Sequence, residues 1–344
     1  MQLNKQCSKL NIDVLFLQNK YKYIFQMNIA FWDNQLCERG TTTSLFDYAY
    51  HNEAILGNKS YIFYKNNSSG NIESVIQKFK KRFIVHGINN FEEVDDFLVK
   101  YNITHIYNIK YGVKPDSNNL GLSKVAKNCI HCVFTCSEPH GDVYSSISPW
   151  VKCNDNKYPV VPHMINLPNH DRNMREKLNI PKNAKVFGGY GGKDNFSIPF
   201  VQWAVHNVAA NNPNIYFLFA NFTKFCPSFH NIIHLPMITD LDEKVEFINT
   251  CDANLWARHD GETFGIAIGE FSSLNKPIIT AKIGIDQAHV QILKDKAFWY
   301  TNQEDLTEIL LNFNPEVESK KDWNAYKEYT PEIVMNIFKK TYLD

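Results

Sequence analysis

Two acidic side chains, Glu262 and Glu270, stand eight residues apart in the stretch Ala257-Arg258-His259-Asp260-Gly261-Glu262-Thr263-Phe264-Gly265-Ile266-Ala267-Ile268-Gly269-Glu270. An apolar strand is expected to end at Ala257, with a glycine-containing loop after it and a helix from about Thr263. The N–H groups of Phe264, Gly265 and Ile266 would then project from a helix N-terminus, where unpaired amides and the helix dipole favour an anion. Arg258 places a cation beside them. The spacing lets both carboxylates face one cleft. The plainer reading makes Glu262 a first-turn acid that complements the dipole, and Glu270 a solvated helix residue.

A second constellation is Gly188-Gly189-Tyr190-Gly191-Gly192-Lys193, directly after a short apolar run. Glycine permits positive φ and lets backbone amides approach an anion closely, and Lys193 adds a cation. A phosphate is the natural guest; a flexible turn between strand and helix is the alternative. The run matches neither G-x-G-x-x-G nor a P-loop, because no Lys-Ser/Thr pair follows. Two loops of the N-terminal half add candidates. Ser137-Glu138-Pro139-His140-Gly141-Asp142 presents His140 after a predicted strand, and Cys37-Glu38-Arg39-Gly40-Thr41 sets Gly40 beside Arg39.

Competing chemistry is weaker. Cys129-Ile130-His131-Cys132 with Cys136 has C-x-x-C spacing, but zinc needs a second ligand pair and strand alternation splits these side chains between two faces. Asp240-Leu241-Asp242 mimics a metal-binding D-x-D, whereas Asp240 with Glu243 reads as a helix cap and capping box. No Gly-x-Ser-x-Gly elbow is present. No metal or cofactor is expected.

These residues need elements to position them. Strands are expected over 28–32, 60–64, 82–85, 105–108 and 130–135, with helices over 42–56, 72–79 and 91–99. Prolines and polar residues then run from Tyr158 to Pro181, the best linker in the chain. The pattern restarts with strands over 185–187, 215–219, 232–235, 253–256 and 277–280. Helices are expected over 199–210, 243–249 and 266–274, and after Asp286. Strands alternating with helices imply βαβ units and parallel sheets. The fold class is therefore α/β, with two Rossmann-like halves in tandem and a site in the cleft between them, at the carboxyl ends of strands. Residues 1–26 break the pattern and read as an extension, with Met27 a candidate start.

Composition agrees with a soluble two-domain protein. The chain has 344 residues, 44% hydrophobic and 21% charged, which excludes wholesale disorder, collagen and coiled coil. Thirty-six basic side chains balance thirty-six acidic ones, so the broad positive field of a nucleic-acid binder is missing. No apolar run reaches the roughly 20 residues of a membrane span. Eight cysteines in a chain of this length, without a signal sequence, read as reduced thiols in a cytoplasmic protein.

Glu262 and Glu270 in this loop–helix setting resemble the E-x7-E arrangement of retaining GT-B glycosyltransferases of the family-4 type. Gly261-Glu262-Thr263-Phe264-Gly265 is similar to that family's E-G-F-G loop. Asn275-Lys276-Pro277-Ile278-Ile279-Thr280 resembles the strand that follows, with Asn275-Lys276 in place of its glycine. The resemblance spans nearly all of 27–344. It implies an acceptor-binding domain over 27–165, a nucleotide-sugar domain over 166–325, and a terminal helix over 326–344 that crosses back to the first domain. It also implies metal-free transfer of a sugar, with retention, from a UDP- or GDP-sugar to a glycan or lipid-linked acceptor, leaving peripheral membrane contact open.

By the same resemblance Glu270 would hold the donor ribose, and Glu262 would sit near the reacting carbon. The Thr263–Ile266 loop, Arg258 and Lys193 would hold the diphosphate. His140 would face the donor sugar, Gly40 would admit the diphosphate, and Arg39 would approach acceptor or phosphate. Leu235 and Met237 would flank the base. One departure stands out: Gly189 occupies the place of an arginine that the family pairs with its lysine. Two alternatives follow, a GT-B nucleotide-sugar epimerase or hydrolase and a degenerate sugar-nucleotide binding module. A dinucleotide-dependent oxidoreductase is a more distant third.

Overall fold

The computed structural model describes residues 26–114, 121–153, 158–227 and 229–344. Most of the expected N-terminal extension, residues 1–25, lies outside the described residues.

The first lobe is built on six parallel strands: β1 (Asn28–Asp33), β2 (Lys59–Lys65), β3 (Ile84–Ile88), β4 (Ile103–Lys110), β5 (Lys127–Cys132) and β6 (Val143–Ser146). Their spatial order is β3-β2-β1-β4-β5-β6. Helices α1 (Gly40–Ala54), α2 (Glu73–Lys80) and α3 (Glu93–Lys100) make the crossovers. Both faces of such a sheet are covered, which is why Ile29, Ala30 and Phe31 form an unbroken apolar run with no exposed surface. The third strand starts at Ile84 rather than Arg82. Arg82 and Phe83 still close the preceding helix, both donating backbone N–H to Phe79 O.

The second lobe repeats the plan. Its strands are β7 (Lys185–Tyr190), β8 (Ile215–Ala220), β9 (Ile232–Leu235), β10 (Ala253–Leu255), β11 (Ile278–Ala281) and β12 (Ala297–Tyr300), in the parallel order β9-β8-β7-β10-β11-β12. All six residues of β8 are buried. The helices are α4 (Pro199–Asn211), α5 (Leu241–Thr250), α6 (Ile266–Ser273), α7 (Ala288–Leu293) and α8 (Gln303–Asn312). Pro199 opens α4 at the position where a missing N–H costs nothing. Asp240 caps α5, accepting from Glu243 N at 2.9 Å, which is the capping role read for it in the sequence.

The chain passes from first lobe to second and then returns. Helix α9 (Pro331–Phe338) packs on the first lobe, where Phe338 stacks on Tyr48 and Phe31 at 5.3 and 6.3 Å between centroids. Beyond it, Tyr342 hydrogen-bonds Ser145, and Lys127 Nζ donates to Tyr342 O at 2.9 Å. Each fully buried aromatic of this kind contributes about 1.5–3 kcal/mol. The outgoing and returning segments meet where Ile165 N donates to Tyr329 O at 2.8 Å. Among the described residues, no helix is long and apolar enough to cross a membrane.

Candidate functional site

The carboxyl ends of β1 and β7 face each other across a cleft of about 470 Å³. Residues from both lobes line it. The first lobe supplies Arg39, Gly40, Phe134 and His163, and the second Arg258, Glu262, Glu270 and Lys244.

Glu262 sits on a two-residue strand, Gly261–Glu262, paired in parallel with Asp286–Gln287. The pairing needs glycine at 261: φ is +79°, and a Cβ there would lie 2.0 Å from Asp286 O. The Glu262 carboxylate is buried, and Arg258 Nη1 donates to it at 3.2 Å. Burial raises this carboxyl above its ordinary value, and the Arg258 charge pulls it back down. Gly265, at φ +84°, then turns the chain into α6. The returning segment pins that turn, with Tyr326 Oη donating to Phe264 O at 2.8 Å. Helix α6 thus aims its first-turn amides, unpaired within the helix, into the cleft. Thr263, Phe264, Gly265 and Ile266 all line it.

Glu270, one turn into α6, is buried rather than solvated, at 5% exposure. Lys244 on α5 reaches it at 2.8 Å, and the Tyr190 hydroxyl donates to its other oxygen. Lys244 also lies 5.4 Å from the Tyr190 ring centroid. Across the cleft stand Asp47 on α1 and Lys78 on α2. Burial pushes the Asp47 carboxyl up to about 7 against the opposing pull of Lys244, and burial also lowers the Lys78 ammonium. Lys78 Nζ donates to Thr239 O of the second lobe at 3.4 Å.

On the first lobe, Gly40 begins α1 close to α6: a Cβ there would sit 3.4 Å from Ile266 Cδ1. Two helix N-termini therefore converge on one space. Beside them Arg39 lies 3.7 Å from Asp33 and lines the cleft. Ser148 Oγ bridges the lobes, donating to Thr263 O at 2.8 Å.

Several sequence expectations shift. Gly188 and Gly189 are strand residues of β7, not a phosphate loop. A Cβ on Gly188 would lie 2.3 Å from Cys251 Sγ, and one on Gly189 would lie 2.8 Å from Leu255 O. Close strand packing explains these glycines, and position 189 has no room for an arginine side chain without backbone movement. Of the run, Tyr190, Gly191 and Gly192 line the cleft; Lys193 is exposed and outside that lining. His140 also stands outside it, buried, with Nδ1 donating to Glu138 O at 2.8 Å and its ring 5.5 Å from Tyr144. The cleft histidine is His163, which burial holds down at about 3 and which packs edge-on against Phe264 at 5.5 Å. Leu235 packs into the core while Met237 lines the cleft.

Lys244 and His163 carried no sequence signal, and Tyr190 stood inside the glycine run with no role read for it. A lysine on an amphipathic helix reads as solvated, and His163 lies in the linker, far along the chain from every motif. Among the described residues, no group of three or more His, Cys, Asp or Glu side chains is arranged to hold a metal ion.

No protein-family model matches the sequence, and no curated protein does. Solved structures do. A glycosyltransferase from Rickettsia africae superposes with a TM-score of 0.65 at 14% identity, covering 92% of this chain and 99% of its own. HepE from Anabaena in complex with UDP-glucose gives 0.67 at 12%, with the same coverage. A putative UDP-N-acetylglucosamine 2-epimerase from Listeria monocytogenes gives 0.55 at 12%, covering 90% of this chain and 96% of its own. The chain has the GT-B fold: two parallel-sheet, Rossmann-like lobes across a cleft.

Proposed function

We propose that the protein is a glycosyltransferase that takes a sugar from a nucleotide diphosphate-sugar bound in the cleft and passes it to an acceptor on the first lobe, with retention and without a metal ion. The observation that carries this reading is the convergence of Glu262–Arg258, Glu270–Lys244 and the first-turn amides of α6 on one space. The UDP-glucose complex of HepE, at the same fold, supports a nucleotide-sugar donor.

The chemistry follows from placement. As the donor's anomeric C–O bond breaks, negative charge grows on the departing diphosphate. Preorganised amides and Arg258 offer positive charge where it develops. Arg258 carries this load because position 189 has no room for the arginine that the resembling family has there. Glu262, ion-paired to Arg258, sits where the carbon becomes oxocarbenium-like. Glu270 has about four lone-pair sites; Lys244 and Tyr190 occupy two directions and leave the rest for ribose hydroxyls. His163, neutral at any ordinary pH, can donate or accept a hydrogen bond to the sugar without adding charge. Glu262 is held by Arg258 and, among the described residues, no other side chain is assigned as nucleophile, so same-face attack fits best, the leaving phosphate accepting the acceptor's proton.

Glu262→Gln tests the assignment. It is expected to lower kcat by about 100-fold or more while donor affinity changes little, the signature of an interaction made chiefly in the transition state. An unchanged kcat removes Glu262 from the mechanism. Activity is also expected to survive exhaustive EDTA treatment; loss that magnesium or manganese restores would refute metal-free transfer. The epimerase likeness favours one alternative, a donor-rearranging enzyme. Free or epimerised sugar in place of a glycosylated acceptor would establish it.

A further inference from the structure

The first lobe carries an aromatic feature at the lip of the cleft that donor binding does not use. Phe134 lines the cleft, and its ring stacks on Tyr111 with centroids 5.0 Å apart and planes 30° apart. Tyr111 is 61% exposed. A single exposed tyrosine is ordinary on a protein surface. This pair differs because the backbone fixes it. Phe134 N and Thr135 N both donate to Tyr111 O at 3.1 Å, and Val133 N donates to Lys110 O at 3.0 Å. Tyr144 Oη donates to Gly112 O. Gly112 has φ +118°, and a Cβ there would lie 1.6 Å from Thr135 O, so only glycine lets the two loops close together.

Both loops leave the carboxyl ends of β4 and β5, the side on which open parallel sheets bind ligands. The adjoining segment, residues 147–152, runs beside these loops, with Lys152 the register partner of Thr135. Ile147 of that segment lines the cleft, and Ser148 ties it to Thr263, the neighbour of Glu262. The aromatic surface is thus continuous with the space in front of the catalytic carboxylate.

We infer that Tyr111 and Phe134 form the acceptor subsite, and that its occupant is a pyranoside ring. This deepens the glycosyltransferase reading and rests on it. A near-parallel pair of rings offers a flat face to the apolar C–H side of a sugar, whose hydroxyls are left for the polar lip formed by Glu38, Arg39 and Thr43. A lipid-surface contact would instead set its apolar side chains away from the catalytic groups, and Phe134 points the stack into the cleft.

Saturation-transfer NMR tests this, with methyl glucopyranoside, galactopyranoside and N-acetylglucosaminide as probes, with and without UDP. The proteins are the wild type, Tyr111→Ala, Tyr111→Phe and the control Trp203→Ala, which removes a 63% exposed aromatic on α4. UDP affinity is measured in parallel by calorimetry. At least one glycoside is expected to bind the wild type. Its Kd should rise by about tenfold in Tyr111→Ala, stay near wild type in Tyr111→Phe and Trp203→Ala, and leave UDP affinity intact. Equal glycoside binding by wild type and Tyr111→Ala overturns the inference, as does absence of glycoside contact. So does Tyr111-dependent binding to phosphatidylglycerol vesicles without glycoside contact, which would make the patch a membrane contact. Failure of the wild type to bind UDP or any UDP-sugar, with glycoside binding kept, would sink the transferase reading and leave the sugar subsite standing.

Discussion

Replacing Lys244 with methionine keeps the apolar stem and removes the charge that faces Glu270. The two side chains are 12% and 7% exposed and 2.8 Å apart, so the pair is nearly dry. Stripping one partner from a buried ion pair costs about 3–5 kcal/mol, because the other charge is left uncompensated. Glu270 keeps the Tyr190 hydroxyl and borders the cleft, which puts the loss at the low end, about 3 kcal/mol. For a folding unit of this size that corresponds to a fall in Tm of roughly 6–12 °C.

Scanning calorimetry at about pH 7 gives the number. The double variant Lys244→Met/Glu270→Gln should recover most of the loss, since neither side chain is then charged. A Tm change below about 2 °C, or strictly additive variants, would refute the burial of this pair.

Asp47 offers a pH test. Its folded carboxyl stands at about 7 against an ordinary 3.8, so its contribution is fully present below about pH 4 and is lost as pH climbs toward 7. Asp47→Asn should therefore gain Tm relative to wild type between about pH 5 and about pH 8, and the opposite trend in calorimetry would contradict the burial of that carboxyl. Gly189→Ala puts a methyl 2.8 Å from Leu255 O inside β7, and denaturant unfolding should show a loss of about 1–3 kcal/mol. A neutral result would mean that the strands part easily there, and that an arginine could be accommodated after all.

Much of the scaffold was legible because parallel strands buried on both faces read as apolar runs, as over Ile215–Ala220, and prolines mark helix starts at 199 and 331. β6, with the sequence Val-Tyr-Ser-Ser, and β12 after a run of charged residues lack that contrast, and both escaped notice. β3 lies later than the expected 82–85, because pairing with Phe63-Tyr64 holds His86-Gly87 extended. Gly188 and Gly189 misled in the same way. Local preference says loop, but crowding by Cys251 and Leu255 decides for strand. Of the site, Glu262 and Glu270 were visible through their spacing with the glycine loop. Lys244, His163 and the part played by Tyr190 were not, since only the folding of α5, β7 and the linker around one space gives those side chains a common address.

A cleft that grips a nucleotide diphosphate through Glu270 and the start of α6 should bind UDP or GDP at one site. In isothermal titration the wild type should bind at least one of the two, and Glu270→Ala should bind it about tenfold or more weakly. No heat with either nucleotide, or equal affinity in the two proteins, would rule out that grip.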